Sequence, residues 1–274
     1  MRVSFPGGLL TRFLTAAVLL SAAATNTFAQ GEDRLTAVQR EIQRQRQRLS
    51  SSEVEERRDA LMRLGSLKRL DASRAAVVGL NDPAPMVRVT AAHAILSLPP
   101  QEAVALLTPL LQDKLEFVRR ETAYALGETR SRSAVEPLAN VLLGDKEAGV
   151  RGAAAVALGQ IGDETAVPAL AQALGGSTPQ PKKKKSKTRE NEFILRAAAR
   201  SLGQIRSRAA LKILLAALGN QEYPSDVRRE AAIALGLIGD PAAVPSLRAA
   251  FSSNDPYLSA AAREALRRLR VSVN

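Results

Sequence analysis

Few side chains in this sequence can do chemistry, and they do not gather. His93 is the one histidine and there is no cysteine. The chain therefore forms no disulfide, thiolate metal site or cysteine nucleophile. His93 falls in the same helical position as Tyr124, Val156 and Ile233, which marks it as a partly buried structural residue. No H-E-x-x-H, phosphate loop, dinucleotide fingerprint or G-x-S-x-G occurs, so the usual sequence signs of zinc, nucleotide and acyl-transfer chemistry are missing. Carboxylates are plentiful but recur with a fixed period, which reads as scaffold. No catalytic residue, metal or cofactor is expected.

Two charged patterns remain. The first pairs an acid with an arginine six residues on: Asp82 with Arg88, Asp113 with Arg119, Asp145 with Arg151, and Glu222 with Arg228. A row of arginines could hold anions. The stronger expectation is structural: each acid caps a helix start and pairs with an arginine of its own or the next unit. The second pattern is basic, with Lys182, Lys183, Lys184, Lys185, Lys187 and Arg189 lying within eight residues. They sit in a stretch, 175–192, whose composition predicts a disordered loop. It is either a solvated surface loop or an electrostatic tether to an anionic surface or polymer. The run holds no aromatic residue on which bases would stack, and no specific nucleic-acid partner is expected.

The elements that carry these residues repeat. Aligned on Leu126-Gly127, the second positions are Gly65, Leu96, Gly127, Gly159, Gly203, Gly236 and Arg267, spaced 31, 31, 32, 44, 33 and 31 residues apart. Such a period marks an array of helical repeats. Five residues before each Leu-Gly unit's second member stand Ala60, Ala91, Thr122, Ala154, Ala198, Ala231 and Ala262, small enough for close helix approach. Two residues after it stand Leu67, Leu98, Thr129, Ile161, Ile205, Ile238 and Leu269, to fill the space between layers. The glycine is expected to let the chain leave the first helix. A second helix follows, with Pro137, Pro168 or Pro245 near its first turn. Pro109 falls four residues late and should kink or shorten its helix. Leu195 breaks the arginine column, and Ser259 ends it.

Ahead of the array, Arg2 and Arg12, an apolar run from Phe13 to Ala24 and the small-residue end Thr27-Phe28-Ala29 have the order of a secretory signal peptide, 1–29. An uncleaved membrane anchor is the alternative. The mature chain is expected to be exported, periplasmic or extracellular, and no later segment is apolar enough to span a bilayer. Residues 30–52 then hold an amphipathic helix with Leu35, Val38, Ile42, Gln45 and Leu49 in heptad phase. This helix could cap the array, form a short coiled-coil dimer, or be a mobile basic arm. Ser52 and Glu55 have capping-box spacing, which predicts a new helix from about residue 53.

The D-x5-R pattern, V-R-x2-A-x3-L-G and the following A-V-x-x-L (Asp145 to Arg151, Leu158-Gly159, then Ala166-Val167 to Leu170) resemble HEAT repeats, specifically the HEAT-like repeats named after phycobilisome lyases. The likeness covers roughly residues 53–270, about six and a half units. It implies an all-α fold: an ARM/HEAT-like α-solenoid of antiparallel helix pairs, with second helices lining the concave face. It also implies a scaffold for a protein partner, with no catalysis of its own. Two alternatives are a binder of anionic polymer or membrane surface through the lysine run, and a bilin-lyase-like chromophore handler. The di-iron hydroxylases built on such repeats need several His-Glu pairs, which this chain cannot supply.

Overall fold

A computed structural model of the chain describes residues 36–175 and 185–272. Within them the secondary structure is helical throughout, with no strand. The element order is α1 (Ala37–Arg48), α2 (Val54–Ser66), α3 (Leu70–Ala76), α4 (Pro85–Ala94), α5 (Pro100–Leu107), α6 (Glu116–Glu128) and α7 (Val135–Gly144). It continues with α8 (Ala148–Ile161), α9 (Val167–Leu174), α10 (Lys185–Ile205), α11 (Leu211–Gly219), α12 (Ser225–Ile238), α13 (Val244–Phe251) and α14 (Pro256–Arg268). The fold is an all-α HEAT/ARM-type solenoid. First helices α2, α4, α6, α8, α10, α12 and α14 alternate with shorter second helices. One continuous leucine and alanine core runs through the stack, with Leu61, Leu126, Leu158 and Leu202 fully buried. A leucine buried in this way contributes roughly 1.5–3 kcal/mol.

The first helices are drawn together by a zipper of small residues. The alanine column is fully buried, from Ala60 to Ala262. The glycine column does not do what its sequence position suggests. At Gly65, Gly127, Gly203 and Gly236 the first helix runs on past the glycine. A Cβ added there would lie 3.1, 2.8, 2.7 and 2.7 Å from the Cα of Ala94, Ala157, Ala234 and Ala265 in the next repeat. These glycines permit backbone-to-backbone approach. The helix ends three residues later, where Lys68, Arg130, Gly162, Arg206, Gly239 and Arg270 all adopt positive φ.

Leu96 stands where the second repeat should have its glycine, and α4 stops early, at Ala94. The α4–α6 contact is correspondingly reduced relative to α6–α8. Along the whole array the first helices touch their neighbours far more extensively than the second helices do. The first helices, the longer of each pair, therefore form the more tightly packed of the two rows.

Other expectations need adjusting. Helix α2 is not entered through a Ser52–Glu55 capping box: its N-cap is Glu53, with no side-chain cap bond. Ser51 does the work, its Oγ accepting from the Glu53 N–H at 3.2 Å and donating to Glu56 at 2.6 Å. A capping box does open α1, between Thr36 and Gln39. That helix lies against α2 and α3 and buries Ile42 and Gln45, so it covers the first repeat's open end. Leu35 lies outside the described residues. The loop expected at 175–192 is helical from Lys185 onward. The Lys-Ser-Lys-Thr-Arg-Glu-Asn-Glu stretch contains no glycine or proline and can extend α10 backwards from its buried part. Near Pro109 the second helix changes to a tighter 3-10 turn, Thr108–Gln112. The first repeat makes the same change at Val77–Asn81 with no proline, so Pro109 is compatible with that turn without being its cause.

Candidate functional site: an arginine ladder and a first-helix face

The acid–arginine column forms a ladder between repeats. Arg57 donates from Nε and Nη2 to the two carboxylate oxygens of Asp82 at 2.6 and 2.9 Å. Arg88 grips Asp113 in the same way at 2.8 and 3.1 Å, and Arg119 grips Asp145 at 2.7 and 3.0 Å. Each arginine thus reaches the acid of the following unit. Its remaining nitrogen, Nη1, donates to the backbone of its own turn: Arg88 to the Asp82 carbonyl, Arg119 to the Asp113 carbonyl and Arg151 to the Asp145 carbonyl. Each aspartate also accepts a backbone N–H two residues on, from Ala84, Leu115 or Glu147. The Arg57 hydrogen bonds hold the Asp82 carboxyl below its ordinary range, against the opposing effect of burial. At Asp145 burial pushes upward most strongly, and the Arg119 and Glu147 hydrogen bonds together with the nearby guanidinium charges outweigh it, so the carboxyl is again lowered.

The fourth expected pair does not form. Glu222 is exposed, while Arg228 Nε donates to the Leu218 carbonyl at 3.1 Å. Asn220 occupies the aspartate's place, its Oδ1 accepting from the Glu222 N–H at 2.9 Å. The turn there is two residues longer than in earlier repeats, so a fixed six-residue spacing picked the wrong acceptor. Leu195 occupies the arginine column of its repeat. The neighbouring Arg196 makes a half-exposed pair with Asp226 at 3.4 Å. Of the basic run, Lys185, Lys187 and Arg189 fall on the first turns of α10. Lys182, Lys183 and Lys184 lie outside the described residues, as does the expected signal segment 1–29.

The first-helix row carries a pattern that reading one repeat at a time missed. Residues three and ten before the glycine position share one helical stripe. They include Met62, Met86, Phe117, Tyr124, Val156, Phe193, Ile233 and Tyr257. Met62, Met86, Ile233 and Tyr257 are exposed. Successive repeats interlock along this stripe. The Phe193 ring fills the space over Gly152, Arg229 stacks over Tyr257 at 5.4 Å, and Arg196 meets Asp226. In each case a residue seven before one glycine position meets a residue ten before the next. The aligned columns contain this signal, but it appears only when one repeat is offset against its neighbour.

Between α2 and α4 the stripe opens into a groove of about 510 Å³ lined by Arg58, Met62, Met86, Val89, Thr90 and His93. His93 is partly buried, as its helical position predicts. Its side chain is 38% exposed, and Nδ1 lies 3.6 Å from Glu128. No cluster of three metal-ligating side chains exists among the described residues. Nor is any described helix long and apolar enough to cross a membrane. The arrangement can bind an apolar, partly charged surface.

A family described as HEAT repeats matches residues 42–126, 116–183 and 186–267. The chain belongs to the HEAT-repeat family. This repeat fold is typically non-catalytic. No curated protein sequence matches the chain. Among solved structures, Escherichia coli YibA is similar with a TM-score of 0.56 at 19% identity, covering 85% of this chain and 82% of that one. The CpcE–CpcF phycocyanin lyase complex of Nostoc aligns with a TM-score of 0.48 at 23% identity, over 88% and 90% of the two chains. Human deoxyhypusine hydroxylase aligns with a TM-score of 0.42 at 22% identity, over 84% of each. At these identities the YibA likeness shows the fold alone, and the two enzyme likenesses carry no argument about activity.

Proposed function

We propose that this HEAT-repeat chain is an exported, non-catalytic scaffold that holds a protein partner against the exposed face of its first helices. The observation that carries the reading is the exposed stripe from Met62 and Met86 to Ile233 and Tyr257. Large apolar side chains spaced by the repeat and flanked by arginines suit an apolar partner surface with acidic edges. Export rests on the positive, apolar and small-residue order of residues 1–29. The non-catalytic reading rests on membership of a repeat family whose fold is typically non-catalytic and on carboxylates that follow the repeat period. Binding of anionic polymer or membrane through Lys182 to Arg189 is the alternative, and it rests on charge alone.

Photo-crosslinking tests the first reading. A reactive residue at Met62 or Tyr257 should trap one recurring envelope protein, and Met86→Glu should abolish the trapping without changing the melting temperature. Capture that is indifferent to Met86→Glu would refute the first-helix site. Capture that instead falls steeply with salt and with loss of the lysine run would favour the alternative.

A further inference from the structure

The turns on the two edges of the stack differ in charge. Those that enter α4, α6, α8, α12 and α14, at 82–84, 113–115, 145–147, 220–224 and 252–255, hold six acids and two bases, Lys114 and Lys146. The turns that leave the first helices hold the reverse. Lys68, Arg69, Arg130, Arg132, Arg206, Arg208 and Arg270 are all exposed there, against the three acids Asp163, Glu164 and Asp240. The cations also alternate. The positive-φ residue after the first helix is Lys68 in the first repeat, Arg130 in the third, Arg206 in the fifth and Arg270 in the seventh. Gly162 and Gly239 hold that place in the fourth and sixth. Glycine is the usual occupant of left-handed backbone, which disfavours any residue with a Cβ, so the turn itself does not require a cation. The helix dipole favours a cation at the end of the first helix, but at the same edge the second helix begins, where an anion is favoured. Lys68, Arg130, Arg206 and Arg270 make no ion pair among the described residues, whereas their neighbours Arg132 and Arg208 reach from Nε to Asp163 at 3.5 Å and Asp240 at 3.0 Å in the next repeat. Those pairs neutralise an acid in the turn between two cationic ones. Both arginines stay 74% and 78% exposed, with further donors on each guanidinium.

We infer that this edge binds a linear anionic polymer, which runs along the stack from one cationic turn to the next. Packed helices lie about 8–10 Å apart, so turns two repeats apart are separated by roughly 16–20 Å. A small anion meets one such turn. A flexible polyanion passes over the neutralised turn between them and reaches the next cation. It gains affinity by linking weak contacts and by releasing condensed counterions. A folded acidic protein would need acids at the same wide spacing around an apolar centre, and the Arg130 and Arg206 turns expose no large apolar side chain. A flexible chain follows the row whatever its curve, which a flat lipid surface cannot do. This surface is additional to the partner face proposed on the first helices, and its failure would leave the crosslinking test there untouched.

The probe is polyphosphate, as the long chain and as tripolyphosphate, titrated into the full chain by calorimetry at a series of salt concentrations. Per phosphate, the long chain should bind about tenfold more tightly than tripolyphosphate. The decisive variant is Arg130→Gly with Arg206→Gly, because Gly162 and Gly239 already occupy that place in this chain. It should keep or raise the melting temperature, weaken long-chain binding about tenfold, and lower the log–log salt slope by about one per charge removed. Arg130→Lys with Arg206→Lys, which matches Lys68, should bind as the wild type does. Lys114→Gln with Lys146→Gln, on the opposite edge, should change binding little. The inference is overturned if the glycine variant binds as tightly as the wild type, if the opposite-edge variant loses as much, or if tripolyphosphate equals the long chain per phosphate. It is also overturned if vesicles of phosphatidylglycerol and phosphatidylcholine are bound in preference to the polymer, or if only glutamine at Lys182 to Lys185 removes binding, which would place the site in the lysine run.

Discussion

The two halves of the stack are joined by different means. From Arg57 to Asp145 successive repeats are tied by forked ion pairs that are nearly out of solvent; at Arg119–Asp145 the side chains are 7% and 8% exposed. Beyond the stretched interval the corresponding pair, Arg196–Asp226, is 41% and 38% exposed, and Arg200–Glu230 and Arg208–Asp240 each have an arginine largely in solvent. There the junctions rest on close packing, with Gly203 against Ala234 and Gly236 against Ala265. A buried fork loses far more when one partner is removed than a solvated pair does, because the stranded group keeps its desolvation cost. The same repeat therefore tolerates substitution differently in its two halves.

The sharpest way to break this contrast is Arg119→Ala. It strands Asp145 and should cost about 3–5 kcal/mol of unfolding free energy, measured by denaturant titration. Next come the zipper glycines. Gly127→Ala or Gly236→Ala places a Cβ against backbone atoms of the next repeat and should cost about 1–3 kcal/mol. Gly144→Ala and Gly219→Ala, where nothing lies within 4 Å, should leave stability unchanged or raise it by about 0.4–1 kcal/mol. Equal losses at all four glycines would refute the zipper.

Acid should act on the first half more than on the second. Asp82 and Asp145 have lowered carboxyl pKa values in the folded chain. Their contribution is complete above the unfolded aspartate value of about 3.9 and is lost as pH falls through the lower folded values. Arg119→Ala should flatten that acid-side decline, measured as melting temperature against pH. The smallest effects belong to the second half. Arg196→Ala should change stability by less than about 1 kcal/mol, and Glu222→Ala should change it by less than that again, since Glu222 makes no ion pair in the described structure.

The period and the alanine column made the helix pairs legible, because each repeat buries the same small side chains. What crosses between repeats was harder to see. Gly127 looked like a terminator because its spacing to a polar turn is right, yet the turn is made by Arg130 at positive φ and the glycine serves Ala157 in the next repeat. Glu222 looked like a ladder acid because the six-residue spacing ignores the longer turn at Asn220. Phe193 over Gly152 and Arg229 over Tyr257 emerge only when neighbouring columns are offset. The first turns of α10 from Lys185 were hidden by a composition that suits either solvated helix or loop.

Hydrogen exchange on wild type and Arg119→Ala tests the two-halves account most directly. The account predicts that the substitution speeds exchange in helices α4 to α8 and leaves α12 to α14 protected as in the wild type. Exchange that rises equally in both halves, or in neither, would contradict it.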